Sequence, residues 1–143
     1  MTARRHEFHG ERFEQGLAIR RQVLGDAYVE KSLASATDYS APLQKLITEW
    51  CWGEIWGRPG LDRRLRSVLN LGMTMALNRP AEFKAHARGA LNNGLSREEV
   101  VEIVLQGAIY CGAPASLDAM RIVLALFDEI DAASAAQDGG KTQ

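Results

Sequence analysis

The middle of the sequence carries a cluster of positively charged side chains. Only Asp62 opposes their charge in this stretch. A guanidinium group can hold a carboxylate through two parallel hydrogen bonds, so two of these side chains could bind a substrate that has two carboxylates. The alternative is that they are solvated surface charges or form ion pairs at an interface. The cluster predicts a site for a small anionic ligand, and its members are Arg58, Arg63, Arg64, Arg66 and Arg79.

A carboxylate and an imidazole follow the cluster. Glu82 and His86 are four residues apart in a segment with helical spacing, so they share one helix face and can interact. A neighbouring carboxylate fixes the tautomer of an imidazole and raises its proton affinity, which suits a proton donor near neutral pH. The alternative is a surface pair without a role in chemistry.

Trp52 and Trp56 are also four residues apart. Because tryptophan buries a large apolar area, such a pair is more often part of a core or a subunit interface than the wall of a substrate pocket. Both interpretations stay open.

The sequence lacks the motifs of common cofactor and metal sites, such as G-x-G-x-x-G, the P-loop, H-E-x-x-H and the serine nucleophile elbow. Cys51 and Cys111 form neither a C-x-x-C pair nor part of a zinc ligand set. We expect no cofactor and no metal, and we predict that both cysteines are reduced, buried thiols.

Composition limits the class of protein. The chain has 143 residues, 46% of them hydrophobic, which is enough for one domain with its own core, over 1–143. Its 17 Lys and Arg side chains against 18 Asp and Glu give a net charge of -1, which does not favour nucleic acid or an acidic membrane as a partner. With no apolar targeting or membrane-spanning stretch, we expect a cytoplasmic protein, with flexible ends over 1–9 and 132–143.

Helical spacing recurs along the chain, and strand patterns are rare, so the sequence predicts an all-α protein. One amphipathic segment buries Phe13, Leu17, Arg20 and Leu24 and ends at Gly25. Ser96 and Glu99 match a capping box at the start of another. Seven pieces joined by short turns predict a compact helical bundle. They cover 10–24, 26–35, 39–56, a helix capped by Asp62, 80–93, 96–111 and a last helix opened by Pro114.

The helix after Asp62 has one of the clearer apolar stripes of the sequence. Its positions recur at steps of three and four, which is the spacing of one helix face. The stripe consists of Leu65, Val68, Leu69, Gly72, Met73 and Ala76.

Several longer runs resemble the hallmark segments of the 4-carboxymuconolactone decarboxylase family. They follow the order of that family from about Gly16 to Ile130, and they are RRQVLGDAYVEKSL, WGEIWGRPGLDRRLRS, ALNRPAEFKAHARGALNNGLSREEV and YCGAPAS. The wider superfamily includes alkyl hydroperoxidase D proteins, in which a C-x-x-C motif precedes a histidine by four residues. Matching that histidine to His86 puts Arg79 and Glu82 at the cysteine positions, so the resemblance implies that the thiol chemistry is absent.

The resemblance implies an all-α bundle of the alkyl hydroperoxidase D-like type that forms a dimer-based homo-oligomer, a hexamer, with active sites near subunit boundaries. It also implies a cofactor-independent carboxy-lyase that converts 4-carboxymuconolactone to 3-oxoadipate enol-lactone in protocatechuate catabolism, the 3-oxoadipate pathway. The chain departs from relatives at Cys51, and at Gln106 where some relatives carry histidine.

On this hypothesis His86 donates the proton or stabilises the oxyanion, and Glu82 orients it. Arg66, with Arg58 or Arg63, holds the retained carboxylate, while Trp52 or Trp56 faces the departing one. Three alternatives stay open: a decarboxylase or isomerase of a different unsaturated lactone, a thiol-dependent peroxide or disulfide reductase, and a non-catalytic oligomeric ligand-binding or scaffold protein.

Overall fold

A computed structural model describes residues 8–140, and all regular structure within this range is helical. The all-α prediction is therefore confirmed for the described residues. Within the same range, no helix combines the length and apolar character required to span a bilayer. The helices are α1 (Glu11–Leu24), α2 (Asp26–Ala34), α3 (Ala41–Leu46), a π-helix (Ile47–Ile55), α4 (Arg63–Ala76), α5 (Pro80–Asn92), α6 (Arg97–Tyr110) and α7 (Ala113–Gly139).

Local signals set most of the helix ends. Before α4, Asp62 Oδ1 accepts a hydrogen bond of 2.8 Å from the Leu65 N–H. At the start of α6, the Ser96 N–H donates to Glu99 Oε2 at 2.8 Å and the Glu99 N–H donates to Ser96 Oγ at 3.1 Å, which confirms the capping box. Gly25 follows α1 with a φ of 87°, a left-handed conformation that side chains rarely adopt.

The predicted helix over 39–56 differs from the structure. It is divided into the short α3 and the π-helix, in which the Trp56 N–H donates to the Cys51 carbonyl oxygen five residues earlier, at 3.0 Å. A wider turn places side chains on different faces than the 3.6-residue period predicts. Gly16 of α1 packs so closely against the Thr48 carbonyl group that an added Cβ would lie 1.9 Å from its oxygen.

The chain divides into two compact units, the first ending at Arg66 and the second beginning at Ser67. The prediction of one domain stays a prediction. In the first unit α1 packs against the π-helix, and the predicted α1 stripe is buried in full. The main buried side chains of this unit are Phe13, Leu17, Arg20, Val23, Leu24, Val29, Trp52 and Trp56.

Arg20 is buried in the first unit and is held by neutral oxygens. Its Nη1 donates to Gln44 Oε1 at 3.0 Å and to Thr48 Oγ1 at 3.1 Å, and its Nη2 donates to Ser32 Oγ at 3.0 Å. Burial lowers the pKa of this guanidinium below its ordinary value. One side chain thus joins α1 to α2, to α3 and to the π-helix.

In the second unit α7 packs against α5 and α6 around a continuous apolar core. Ser67 at the start of this unit accepts a hydrogen bond of 2.9 Å from Asn93 Nδ2 at the end of α5. The fully or almost fully buried core residues are Leu71, Met75, Phe83, Ala87, Ala90, Leu95, Val100, Val104, Ala119, Val123 and Leu126.

The apolar stripe that predicts α4 does not face this core. The buried positions of α4 are Ser67, Leu71 and Met75, whereas Leu69 is 52% exposed and Met73 is 44% exposed. Ile109 and Tyr110 at the end of α6 are exposed by 82% and 83%. Large exposed apolar patches on a folded chain are typical of protein interfaces. The spacing thus predicts the helix correctly, but it does not identify the face that the chain itself buries.

The structure also bears on the predictions about the cysteines and about the chain ends. Both cysteines are free, as predicted, but Cys51 is exposed and Cys111 is half-buried, so the predicted burial is wrong for Cys51. The reason is that Cys51 lies on the outer side of the π-helix, next to the buried Trp52. Helix α7 extends to Gly139, and every residue over 131–140 is exposed. Flexibility of the two ends stays a prediction, and residues 1–7 and 141–143 lie outside the described range.

Candidate functional site

His86 lies on α5 in the second unit, half-buried, and faces a residue of α4. Helix α5 begins with Pro80 in its first turn, where the missing N–H costs nothing. Burial lowers the pKa of His86, while the negative charge of Glu82 acts in the opposite direction. The sequence predicts a raised proton affinity for His86. The effect of Glu82 has the predicted sign, but burial outweighs it, so the predicted net direction is wrong.

Asn70 is the partner of His86 that the sequence does not reveal. Its Nδ2 lies 3.4 Å from His86 Nδ1 and 3.4 Å from His86 Nε2. The two residues are 16 positions apart on different helices, so no local spacing relates them. The only hint in the sequence is that Asn70 is an amide between the apolar residues of α4. The structure therefore adds a polar side chain to the site.

The predicted arginines do not all have the same surroundings. Arg66 Nη2 donates to the Arg58 carbonyl oxygen at 3.1 Å, and Arg66 Nε is buried with no hydrogen-bond partner among the described residues. Arg63 Nη1 donates to Gln22 Oε1 at 2.6 Å. The Arg58 side chain is exposed. Arg79 precedes α5, and its side chain donates to the Asn78 carbonyl oxygen at 3.4 Å.

The arrangement brings together some predicted site residues and leaves others untested. Glu82 and His86 belong to the second unit, whereas Arg58, Arg63 and Arg66 belong to the first. A common site for the carboxylate-imidazole pair and the arginines therefore stays a prediction. Within the described residues, no group of three or more His, Cys, Asp or Glu side chains is arranged to hold a metal ion.

Trp52 and Trp56 are stacked in the core of the first unit. Their ring centroids are 5.0 Å apart with an angle of 26° between the planes, and the two residues are 4% and 5% exposed. Such burial is what the core interpretation expects. Their contact with a substrate stays a prediction.

A separate apolar pocket of about 170 Å³ lies between α4 and α6 in the second unit. Val68, Gly72 and Met75 line it from α4, and Gln106 and Tyr110 line it from α6. Asn70 and His86 are not among its lining residues. The contact of Asn70 with His86 therefore lies outside this pocket.

Comparison with known proteins identifies relatives over most of the chain. The nitrosuccinic acid decarboxylase of Metarhizium robertsii is 47% identical over 116 residues, which cover 81% of this chain and 81% of that protein. The 4-carboxymuconolactone decarboxylase of Acinetobacter baylyi is 38% identical over 120 residues, or 84% of this chain and 90% of that protein. A 4-carboxymuconolactone decarboxylase of Pseudomonas putida is 36% identical over 44 residues, which are 31% of this chain.

The family assignment follows from these relatives and from a match of the chain to a protein-family pattern. Residues 41–125, from α3 into α7, match the carboxymuconolactone decarboxylase family. This range contains the tryptophan pair, the arginine cluster, Asn70, Glu82 and His86. The resemblance stated from the sequence is confirmed, and the chain belongs to the carboxymuconolactone decarboxylase family.

Proposed function

We propose that the protein is a cofactor-independent carboxy-lyase for a small acid with two carboxylates, in which an electron-accepting group is attached to the carbon that loses carbon dioxide. The observation that carries the proposal is the identity of 47% and 38% with two decarboxylases, each over more than four-fifths of the chain. The half-buried imidazole of His86 beside Asn70 supports it, because it offers polar hydrogen-bonding groups in partly desolvated surroundings.

The substrates named for these two relatives share a chemical core. In 4-carboxymuconolactone, the carbon that loses carbon dioxide carries a carboxymethyl arm and belongs to an unsaturated lactone ring. In nitrosuccinic acid, the corresponding carbon carries a carboxymethyl arm and a nitro group. The lactone or the nitro group accepts the electron pair of the broken bond, so neither reaction needs a cofactor as an electron sink.

The first candidate reaction is the conversion of 4-carboxymuconolactone to 3-oxoadipate enol-lactone. When the carbon–carbon bond to the carboxylate breaks, its electron pair moves through the ring double bond to the carbonyl oxygen. The result is carbon dioxide and a dienolate. One proton then adds to the carbon next to the carbonyl group, which gives the enol-lactone.

The second candidate reaction is the decarboxylation of nitrosuccinic acid, which the 47% identity favours. The electron pair moves onto the nitro group and gives a nitronate, and one proton adds to the same carbon to give 3-nitropropanoate. The two reactions differ in where the proton arrives, two carbons away from the broken bond in the lactone and on the same carbon in the nitro acid.

The roles of the side chains follow from this chemistry. A neutral imidazole can still donate a hydrogen bond to the developing oxyanion, so the lowered pKa of His86 favours that role or proton relay from water. Glu82 orients His86. Arg66, with Arg58 or Arg63, holds the retained carboxylate, since a guanidinium group can bind a carboxylate through two parallel hydrogen bonds.

The departing carboxylate is expected to face apolar surface, which we assign to Trp52 or Trp56. A strong ion pair to this carboxylate would stabilise the ground state and oppose its loss.

We further propose that the protein forms a homo-oligomer in the cytoplasm. The exposed apolar side chains of α4, α6 and α7 support such an assembly, and they include Val68, Leu69, Met73, Leu105, Ile109, Tyr110, Leu117 and Leu124.

The test is to supply both substrates separately to the full chain. The 4-carboxymuconolactone is generated enzymatically in the cuvette, and carbon dioxide is followed together with the enol-lactone or 3-nitropropanoate. We expect His86→Ala to lower kcat about a hundredfold or more with little change in KM. His9→Ala is the matched control, since His9 is exposed near the start of the described range. Carbon dioxide release from neither substrate would overturn the proposal.

A further inference from the structure

The contact of Asn70 with His86 differs in geometry from an ordinary hydrogen bond to an imidazole nitrogen. Its amide nitrogen is 3.4 Å from both ring nitrogens. An atom at that distance from both nitrogens cannot lie in the plane of the ring without overlapping a ring carbon. The amide nitrogen of Asn70 therefore lies over the face of the imidazole.

This arrangement is held from the α4 side by packing and backbone contacts. Asn70 is half-buried, and its backbone carbonyl oxygen accepts a hydrogen bond of 2.7 Å from Thr74 Oγ1 one turn later. The buried neighbour Leu71 anchors the same turn in the core. The amide is thus presented by a fixed turn of helix rather than by a mobile loop.

The contact has two physical consequences for the ring. An amide stacked over one face restricts rotation of the imidazole about its side-chain bonds. The NH₂ end of the amide also carries the partial positive charge of the side chain, and positive charge near the ring favours a neutral imidazole over an imidazolium cation.

We propose that Asn70 is a positioning residue, which fixes the plane of the His86 imidazole and favours its uncharged form. The catalytic part of this inference rests on the proposed decarboxylase function. The contact between the two side chains does not.

Charged side chains on α5 and on the helices packed against it could also affect the pKa of His86. The negative charge of Glu82 acts on this ring and raises its pKa, against the effect of burial. Helix α4 carries no charged side chain after Arg66. The charged side chains that α5, α6 and α7 hold in pairs are Lys84 and Arg88 with Glu129, Arg97 with Asp131, and Arg121 with Asp118.

The test is an NMR titration of His86 in the full chain. His6 and His9 are replaced by alanine, which leaves a single imidazole. Asn70→Asp puts a carboxylate at the ring face and is expected to raise the pKa of His86 by about one unit or more. Gly72→Ala is the matched control, because a Cβ added at this position of the same helix would meet nothing within 4 Å, and the titration is expected to stay as in the parent chain. An unchanged titration in Asn70→Asp would overturn the proposal.

Turnover provides the second measurement. Asn70→Leu keeps the approximate shape of the side chain and removes the N–H groups, so we expect kcat to fall about tenfold or more with KM nearly unchanged, and the pH profile of kcat to shift in Asn70→Asp. Full kcat in Asn70→Leu, in a variant that unfolds at the same temperature as the parent, would also overturn it. If the parent chain turns over neither substrate, the proposed function fails, and the titration alone still decides whether Asn70 controls the charge of His86.

Discussion

Replacing Gly16 with alanine should separate α1 from the π-helix. The added Cβ would lie 1.9 Å from the Thr48 carbonyl oxygen and 2.8 Å from the Thr48 carbonyl carbon. Both atoms belong to the backbone, so no change of side-chain rotamer relieves the overlap. The two helices must move apart, and the same movement stretches the 3.1 Å hydrogen bond from Arg20 to Thr48.

The magnitude follows from three terms. Overpacking a buried contact costs about 1–3 kcal/mol, and weakening a hydrogen bond from a charged donor costs about 1.5–3 kcal/mol. The higher helix propensity of alanine over glycine stabilises the variant by about 1 kcal/mol, which offsets part of this loss. We expect a net loss of about 1.5–5 kcal/mol in the free energy of unfolding, or roughly 5–15 °C in Tm for a chain of this size.

Two other glycines make the comparison specific. A Cβ at Gly72, in the middle of α4, would meet nothing within 4 Å, so Gly72→Ala should stabilise the protein by about 0.5–1 kcal/mol. A Cβ at Gly107 would meet the flexible Met75 side chain, whose Cε lies 2.1 Å away, and should give an intermediate result. Urea and thermal unfolding of the three variants are the assay. Equal stability of Gly16→Ala and Gly72→Ala would refute the reasoning.

Three further predictions concern charge, binding and capping. Burial holds the pKa of His86 below its value in the unfolded chain, so the contribution of His86 to stability is present above about pH 6.5 and is lost as the pH falls. Glu82→Gln removes the negative charge that raises this pKa, so the urea midpoint should decline more steeply from pH 8 to pH 5.5. An unaltered slope would contradict the effect of Glu82 on the pKa of His86. Arg66→Met should raise KM about tenfold with kcat nearly unchanged, measured by initial rates, and an unchanged KM would exclude Arg66 from binding. Ser96→Ala should cost about 1 kcal/mol in urea unfolding through the lost cap, whereas a neutral result would show that the cap is dispensable.

The sequence predicts features that depend on neighbouring residues. The capping box of Ser96 and Glu99 is formed in both directions, and α1 ends where Gly25 is predicted to stop it, with a positive φ of 87° at that glycine. The α1 stripe is buried even at Arg20, a charged position that spacing alone assigns to the core. In each case the pattern that carries the prediction recurs at steps of three or four residues or is a single local stop, which is the range that sequence patterns describe.

Features that depend on packing between distant segments cannot be predicted from local sequence patterns. The π-helix lies against Gly16 more than thirty residues earlier, and the contact of Asn70 with His86 joins two helices. The stripe through Leu69 and Met73 has correct helical spacing but is exposed, because spacing cannot tell a face buried by the chain from a face available to another molecule. The net pKa of His86 depends on how much solvent reaches the ring, which is also a property of the folded chain.

The Arg20 network gives the first unit a cross-link that acid and salt should hardly affect. Its acceptors are an amide and two hydroxyl groups, none of which takes up a proton in the ordinary pH range. Ion pairs such as Arg97 with Asp131 lose their attraction when the carboxylate is protonated or when counter-ions accumulate. Because these ion pairs hold the pKa of Asp131 and of Glu129 below their ordinary values, strong acidification should loosen the surface of the second unit while the four segments joined by this single guanidinium remain tied together.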